Sequence, residues 1–374
     1  MKVLLSPLTR LLIFLNLFFL MIWISQDMNR TEWWVRMISP WYSRLLGPLI
    51  SLIPFSITEL MWGTFFLWIL ILIGKMIRNL KQKSIIHVAQ HGIMMLQTVS
   101  LLGATYMATT GIAYQRAPVA IPGWKTPVSS SDFTAIVTYF QEDFNHVSSQ
   151  LRFDEKGSII NPYDLKTIEN HIVASFDAYS TDYFHDYSPR IKPMLLSFLY
   201  TEFHITGMHF GISTEALFNA NIPAALLPFT MAHELAHAKG VMREQDANLV
   251  AMYMCLSSED PYIRYSGYFN TFYALLHLLR YVGDDQAYAR TYQQFTPEIK
   301  NDYRYQGTFW DQYTLLDDLA RWINDVYLRI MGNDGVTSYV DVPTTGTVVE
   351  NGQTIEVITQ FSPYQQLYFY LFNV

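Results

Sequence analysis

The hydrophobic pattern divides the chain near residue 113. Before that point apolar residues run in long unbroken stretches. After it they recur at three- and four-residue steps between polar positions. Three stretches stand out, at 11–25 (LLIFLNLFFLMIWIS), about 55–77 (containing LMWGTFFLWILILIG) and about 85–107 (containing QHGIMMLQTVSLLGATYM). A helix needs roughly 17–25 apolar residues to cross a bilayer. The second and third stretches meet that length. The first has the length of a signal-peptide core, but Gln26, Asp27, Met28 and Asn29 follow it instead of a small-x-small cleavage site, so it reads as a retained span.

Beyond residue 113, the Pro-containing stretch Tyr114–Ser130 reads as a linker or packing segment. Helical spacing then predicts helices over Phe133–Leu151, Asn161–Ser180, Ile191–Phe203, Pro228–Lys239, Arg243–Leu256, Pro261–Tyr281 and Pro297–Met331, the last stopped by Gly332. Strand signal is thin. His204–Ile212 reads as one edge strand. Gly346–Gln360 alternates on both sides of Asn351–Gly352, a hairpin pattern.

Charge sharpens the division. Residues 1–113 hold nine Lys/Arg and three Asp/Glu, whereas the remainder holds 16 and 29. An acidic body argues against a nucleic-acid partner, because phosphate affinity comes from Lys and Arg. The 24 Phe, 25 Tyr and 9 Trp exclude disorder, and a single Cys excludes a disulfide framework. Lys75, Arg78, Lys81 and Lys83 sit between the second and third spans with no acid among them. Positive loops stay in the cytoplasm, so the expected protein is a multi-pass membrane protein whose C-terminal body lies outside the cytoplasm. Glu59, near the outer end of the second span, reads as an interfacial acid within reach of water.

The chemistry gathers in PFTMAHELAHAKGVMREQDAN. His233 and His237 are four apart, which on a helix puts both imidazoles on one face. Glu234 follows the first His and is placed to move a proton without ligating the ion. This is the HExxH arrangement of zinc peptidases. A third ligand is required. Glu244 is the expected one, opening a new helix after the break at Gly240. Asp246 competes, but it leaves an ideal helix about 200° away from Glu244. Asn248 shares the Glu244 face and is suited to hydrogen-bond a ligand imidazole. Arg243 stands where peptidases of the HExxHxxGxxH type carry a third His, and Arg cannot ligate zinc. Arg264, Tyr265, Tyr268 and His277, on the following predicted helix, are candidate oxyanion stabilisers. His204 and His209 are candidates for a fourth ligand that would close the site. Cys255 reads as a small buried apolar residue.

HELAH followed by Glu244–Gln245–Asp246–Ala247–Asn248 resembles the gluzincin peptidases, in which E-x-x-A-D or E-x-x-A-N follows HExxH. Asn248 stands where many gluzincins carry Asp. More closely, the chain resembles an uncharacterised bacterial family, the domain-of-unknown-function family numbered thirty-eight ten. The matching pieces are PFSITEL at Pro54–Leu60, GIAYQRAP at Gly111–Pro118, LPFTMAHELAHAKGVMREQDAN at Leu227–Asn248, RYSGYF at Arg264–Phe269 and YLRIMGNDGVTSYV at Tyr327–Val340. The resemblance covers nearly all of the chain. It implies a mainly α protein, with a membrane domain at 1–113 and a helical zincin-like domain with little β structure at 114–374. It also implies Zn2+ held by His233, His237 and Glu244, with Glu234 as general base. The hairpin at 344–360 looks like an insertion relative to that family. The expected function is a membrane-anchored zinc metallopeptidase acting on a peptide or protein substrate. The alternative is a non-catalytic metal-binding sensor or scaffold in the lipid bilayer.

Overall fold

A computed structural model describes residues 6–119, 130–179, 181, 183–281, 284–330, 344–350 and 353–372. Three long apolar helices open it: α1 (Pro7–Ser25), α4 (Ile57–Lys81) and α5 (Ile85–Thr109). Each is long and apolar enough to cross a membrane. Ser6 and Ser56 cap α1 and α4 by accepting the backbone N–H three residues on. α5 packs against both of the others. Trp68 donates to Thr98 at 3.2 Å, and Phe18 packs beside Gly103. The end of α1, the start of α4 and the end of α5 therefore meet at one level, where the body begins.

Two short helices, α2 (Met28–Met37) and α3 (Ser39–Ser51), fill the connection between α1 and α4. Trp41, Leu45, Leu49 and Leu52 recur at helical spacing along α3 and beyond its end, and all are exposed. That pattern is an exposed apolar stripe along an amphipathic helix.

The body is mainly helical. α6 (Ser130–Ser149) and α7 (Leu165–Ala178) lead to a three-stranded sheet of β1 (Ile191–Pro193), β2 (Gly207–Phe210) and β3 (Glu215–Phe218). Strand order is β1-β3-β2, with β1 parallel and β2 antiparallel to β3. The expected helix over Ile191–Phe203 is thus replaced at its start by a strand. Only α8 (Ser197–Glu202) is helical there, because Pro193 denies an N–H to a helix and Ile191 pairs with Ala216 instead.

α9 (Leu227–Ala238), α10 (Glu244–Leu256) and α11 (Pro261–Tyr281) form the centre of the body. Their apolar faces join Phe140, Phe144 and Phe176 in one core. α12 (Asp285–Gln294), α13 (Pro297–Trp310) and α14 (Asp317–Ile330) follow, so the single long helix expected from Pro297 onward is broken between Trp310 and Asp317. Its expected stop at Gly332 lies outside the described residues. The expected hairpin forms from β4 (Thr344–Glu350) and β5 (Gln353–Gln360), with its Asn351–Gly352 turn outside the described residues. α15 (Pro363–Phe372) packs back onto the core through Leu367, Tyr368 and Phe369.

Buried polar contacts fasten the body to the apolar helices. Glu215 in β3 accepts from the Ile57 and Thr58 N–H groups at 3.0 and 2.7 Å, closing the N-terminus of α4. Lys192 in β1 pairs with the same carboxylate at 2.7 Å and donates to the Ile50 carbonyl. Burial works against the charge on Glu215, but these donors hold its pKa below the ordinary value. Glu59 accepts from the Leu195 and Leu196 N–H groups at 2.7 and 2.9 Å, so protein backbone, not water alone, satisfies that acid. Arg116 is buried between Glu32 of α2, the Tyr183 carbonyl and the Gly240 carbonyl, with its guanidinium 3.7 Å from the Tyr183 ring centroid.

Candidate metal centre

α9 carries His233, Glu234 and His237, with Pro228 in its first turn. The helix ends at Gly240, whose φ of +92° suits a residue without a Cβ. Gly240 N–H bonds to the His237 carbonyl and Val241 N–H to the Ala236 carbonyl, at 2.9 and 3.0 Å. This reversal has a chemical result. It returns the Val241 carbonyl to within 2.7 Å of His237 Nδ1. A carbonyl can only accept, so Nδ1 carries the hydrogen and Nε2 faces the site.

The turn then delivers Glu244, the first residue of α10, back over α9. One Glu244 oxygen stands 3.3 Å from His233 Nε2 and 3.6 Å from His237 Nε2. One ligand atom from each of the three residues lies within 4.8 Å of the other two. Nitrogen and carboxylate oxygen on three side chains form a donor set suited to zinc, and the residues present fit that ion. Asn248, one turn beyond Glu244 on α10, lines the same cavity as His233. Asp246 is absent from the cluster and lies 3.6 Å from Arg243 instead.

Electrostatics follow from burial among like and unlike charges. Burial disfavours charge on His237, yet the Glu244 carboxylate beside it raises its pKa to about 9. Burial also opposes ionisation of Glu244, and the two imidazoles overcome that and push its pKa well down. At Glu234 burial outweighs the charge of nearby His237, the Glu244 carboxylate adds to it, and the pKa rises to about 8. Its Oε2 is buried without a hydrogen-bond partner.

The cluster forms one wall of a cavity of about 970 Å³. Thr206–Phe210, which include all of β2, form another wall. β2 is the sheet's edge strand, so alternate residues turn N–H and C=O away from β3. Gly207 lies directly against Glu234. A Cβ at that position would fall 2.6 Å from Glu234 Cγ and nearer still to Oε1. Trp62 and Tyr106 from the spans, and Arg321, Ile323 and Asn324 from α14, complete much of the rest.

The other sequence candidates have different places. Arg264 and Tyr268 both bond Asp143, and Tyr265 donates to Asp302 at 2.8 Å. His277 packs against Tyr273 and Tyr288. None of these four lines the cavity. His204 and His209 do line it, but their ring nitrogens bond the carbonyls of Tyr313 and Glu215. Among the described residues no fourth His, Cys, Asp or Glu joins the cluster. Cys255 is fully buried, and burial raises its thiol pKa. Gly207, Tyr364 and the α14 residues carry no signal of a site in the sequence, because only the tertiary fold brings them to the cavity.

With fold and cluster established, the chain is placed by comparison. It belongs to the family described as protein of unknown function (DUF3810), whose pattern matches residues 34–344. The match begins within α2 and ends where β4 starts. No curated protein and no solved structure matches the chain.

Proposed function

We propose that the protein is a membrane-anchored zinc metallopeptidase of gluzincin type, with His233, His237 and Glu244 as metal ligands and Glu234 as general base. The observation that carries this reading is the pairing of a three-residue cluster of candidate ligands with the buried Glu234 carboxylate, whose Oε2 has no hydrogen-bond partner, in one cavity. A structural zinc site takes four protein ligands, whereas a catalytic one takes three.

Zinc held there supplies Lewis acidity, lowering the pKa of water and polarising a carbonyl. The positive charge also favours the ionised form of Glu234 that a base requires. Glu234 accepts a proton at Oε2 from the attacking water and passes it to the amine nitrogen as the C–N bond breaks. The open edge of β2 offers main-chain groups to an extended peptide. The Val241 carbonyl holds the His237 imidazole in orientation.

The reading includes topology. Lys75, Arg78, Lys81 and Lys83 lie at the end of the spans away from the body, which supports a multi-pass protein with its body outside the cytoplasm. Because Cys255 is buried, a cysteine added at the C-terminus can be labelled selectively. Labelling only from the cytoplasmic side would reverse the orientation.

The functional test assays purified full-length protein for zinc and for cleavage of a broad peptide library, beside Glu234→Gln. Cleavage by the wild type alone supports the peptidase. Zinc binding with no cleavage by either supports a non-catalytic metal-binding sensor or scaffold.

A further inference from the structure

The cavity is built partly from membrane helices. Trp62 lies five residues into α4, and Tyr106 lies three residues before the end of α5. At 1.5 Å per residue they sit roughly 5–8 Å inside the body ends of those spans. Both helices have 25 residues. That is roughly 37 Å, longer than a hydrocarbon core of about 30 Å. The two rings therefore lie at the interface, where Trp and Tyr are favoured. Trp62 packs at 5.4 Å, centroid to centroid, on Phe210 of β2, the strand whose Gly207 touches Glu234. A continuous wall thus runs from the bilayer surface to the proton-accepting carboxylate.

The surroundings are apolar at the same level. Glu59 ties Leu195 and Leu196 to the first turn of α4. These two, with Phe198 and Leu199, remain exposed on the body, Phe198 at 65%. The exposed stripe of α3 lies beside the same span ends. Across the cavity, α14 contributes Ile323 to the lining and exposes Leu319, Trp322 and Val326 on the same face. Exposed apolar patches of this kind mark interaction surfaces, and a chain emerging from lipid meets this one along its approach.

We propose that the substrate is a polypeptide anchored in the same bilayer, held with its anchor beside Trp62 and Tyr106 and cut a few residues outside the membrane. This assignment rests on the peptidase reading above and names the substrate class.

The experiment uses full-length Glu234→Gln protein in vesicles of phosphatidylethanolamine and phosphatidylglycerol, with zinc supplied. A random-sequence peptide library is presented free, N-palmitoylated, or fused to a transmembrane helix through a spacer of a few residues or of roughly 30. A diazirine is placed next to the anchor, or at the matching residue of the free form. The expected result is labelling by anchored forms at least about tenfold above the free form, mapped to Trp62, Tyr106 or Phe210. The two anchors distinguish a lipidated from a membrane-spanning source. Label from free peptide equal to that from anchored forms, or anchored label scattered over span surfaces away from the cavity, overturns the proposal. Wild-type protein is tested in parallel for cleavage, expected close to the anchor even with the long spacer. Cavity labelling without wild-type cleavage refutes the peptidase reading and leaves the docking of anchored chains standing.

Discussion

Gly207 and Glu234 touch across the sheet–helix junction so closely that the backbone of β2 forms the wall of the glutamate's pocket. A Cβ at residue 207 would lie 2.6 Å from Glu234 Cγ and 2.7 Å from Cδ, inside any real contact distance. Gly207→Ala is expected to displace the carboxylate while leaving all three ligand residues unchanged. Zinc content should then be retained and cleavage should fall. A fall of about 100-fold is reasonable for a misplaced reacting group. Retained full activity would show that Glu234 is not the base.

The ligand cluster gives separable outcomes. His233→Ala, His237→Ala and Glu244→Ala should each lower zinc content in elemental analysis, because each removes one of three donors. Asp246→Ala should leave zinc in place, since that carboxylate lies against Arg243. Metal loss in Asp246→Ala but not in Glu244→Ala would refute the assignment.

Glu234→Gln should keep zinc yet lose hydrolysis. Gln preserves shape and lacks a basic oxygen, and general-base catalysis typically contributes about 10²–10⁴-fold. Equal rates of wild type and variant would sink the base role.

Lys192 and Glu215 are each 1% exposed, and their ion pair also closes α4. Glu215→Ala leaves a buried ammonium unpaired and two backbone N–H groups without their acceptor. A cost of about 3–5 kcal/mol is expected, seen as a lowered midpoint of thermal unfolding in detergent. An unchanged midpoint would mean that the pair contributes little.

His185 predicts an acid limb of stability. Its ring donates from Nε2 to the Val35 carbonyl at 3.1 Å, while Nδ1 is buried without a partner. Burial, aided by Arg116 and Lys239, lowers its pKa from 6.5 to about 4. The fold therefore holds His185 neutral over a range in which the unfolded chain is protonated. Its contribution is complete above about pH 6.5 and is lost as pH falls toward about 4, by about 3 kcal/mol at most. His185→Gln, which keeps a donor but does not titrate, should flatten this limb in unfolding measured across that range.

The parts of this architecture visible in the sequence are those written in local spacing. The spans, the i, i+4 pair His233/His237, the break at Gly240 and the hairpin each depend on residues a few positions apart. Glu59 was visible as an interfacial acid, but its backbone partners at Leu195 and Leu196 come from 136 and 137 residues away. Long-range pairing also overrides local pattern at Ile191, whose apolar spacing reads as helix until β3 supplies a partner strand. The aromatic candidates on α11 failed for a related reason. Helical spacing shows that Tyr265 and Tyr268 share a neighbourhood, but not that this neighbourhood is the core around Phe144.

The Glu215 cap on α4 bears on which parts of the chain can fold alone. β3, which pairs with the wall strand β2, carries the Glu215 that grips the start of α4, and Arg116 grips the end of α9 together with Glu32. A chain without α2 and α4 has no helix start for Glu215 to close and no Glu32 to neutralise Arg116. A fragment beginning at residue 114 would carry His233, His237 and Glu244 while lacking Glu32 and the start of α4, the partners of Arg116 and Glu215.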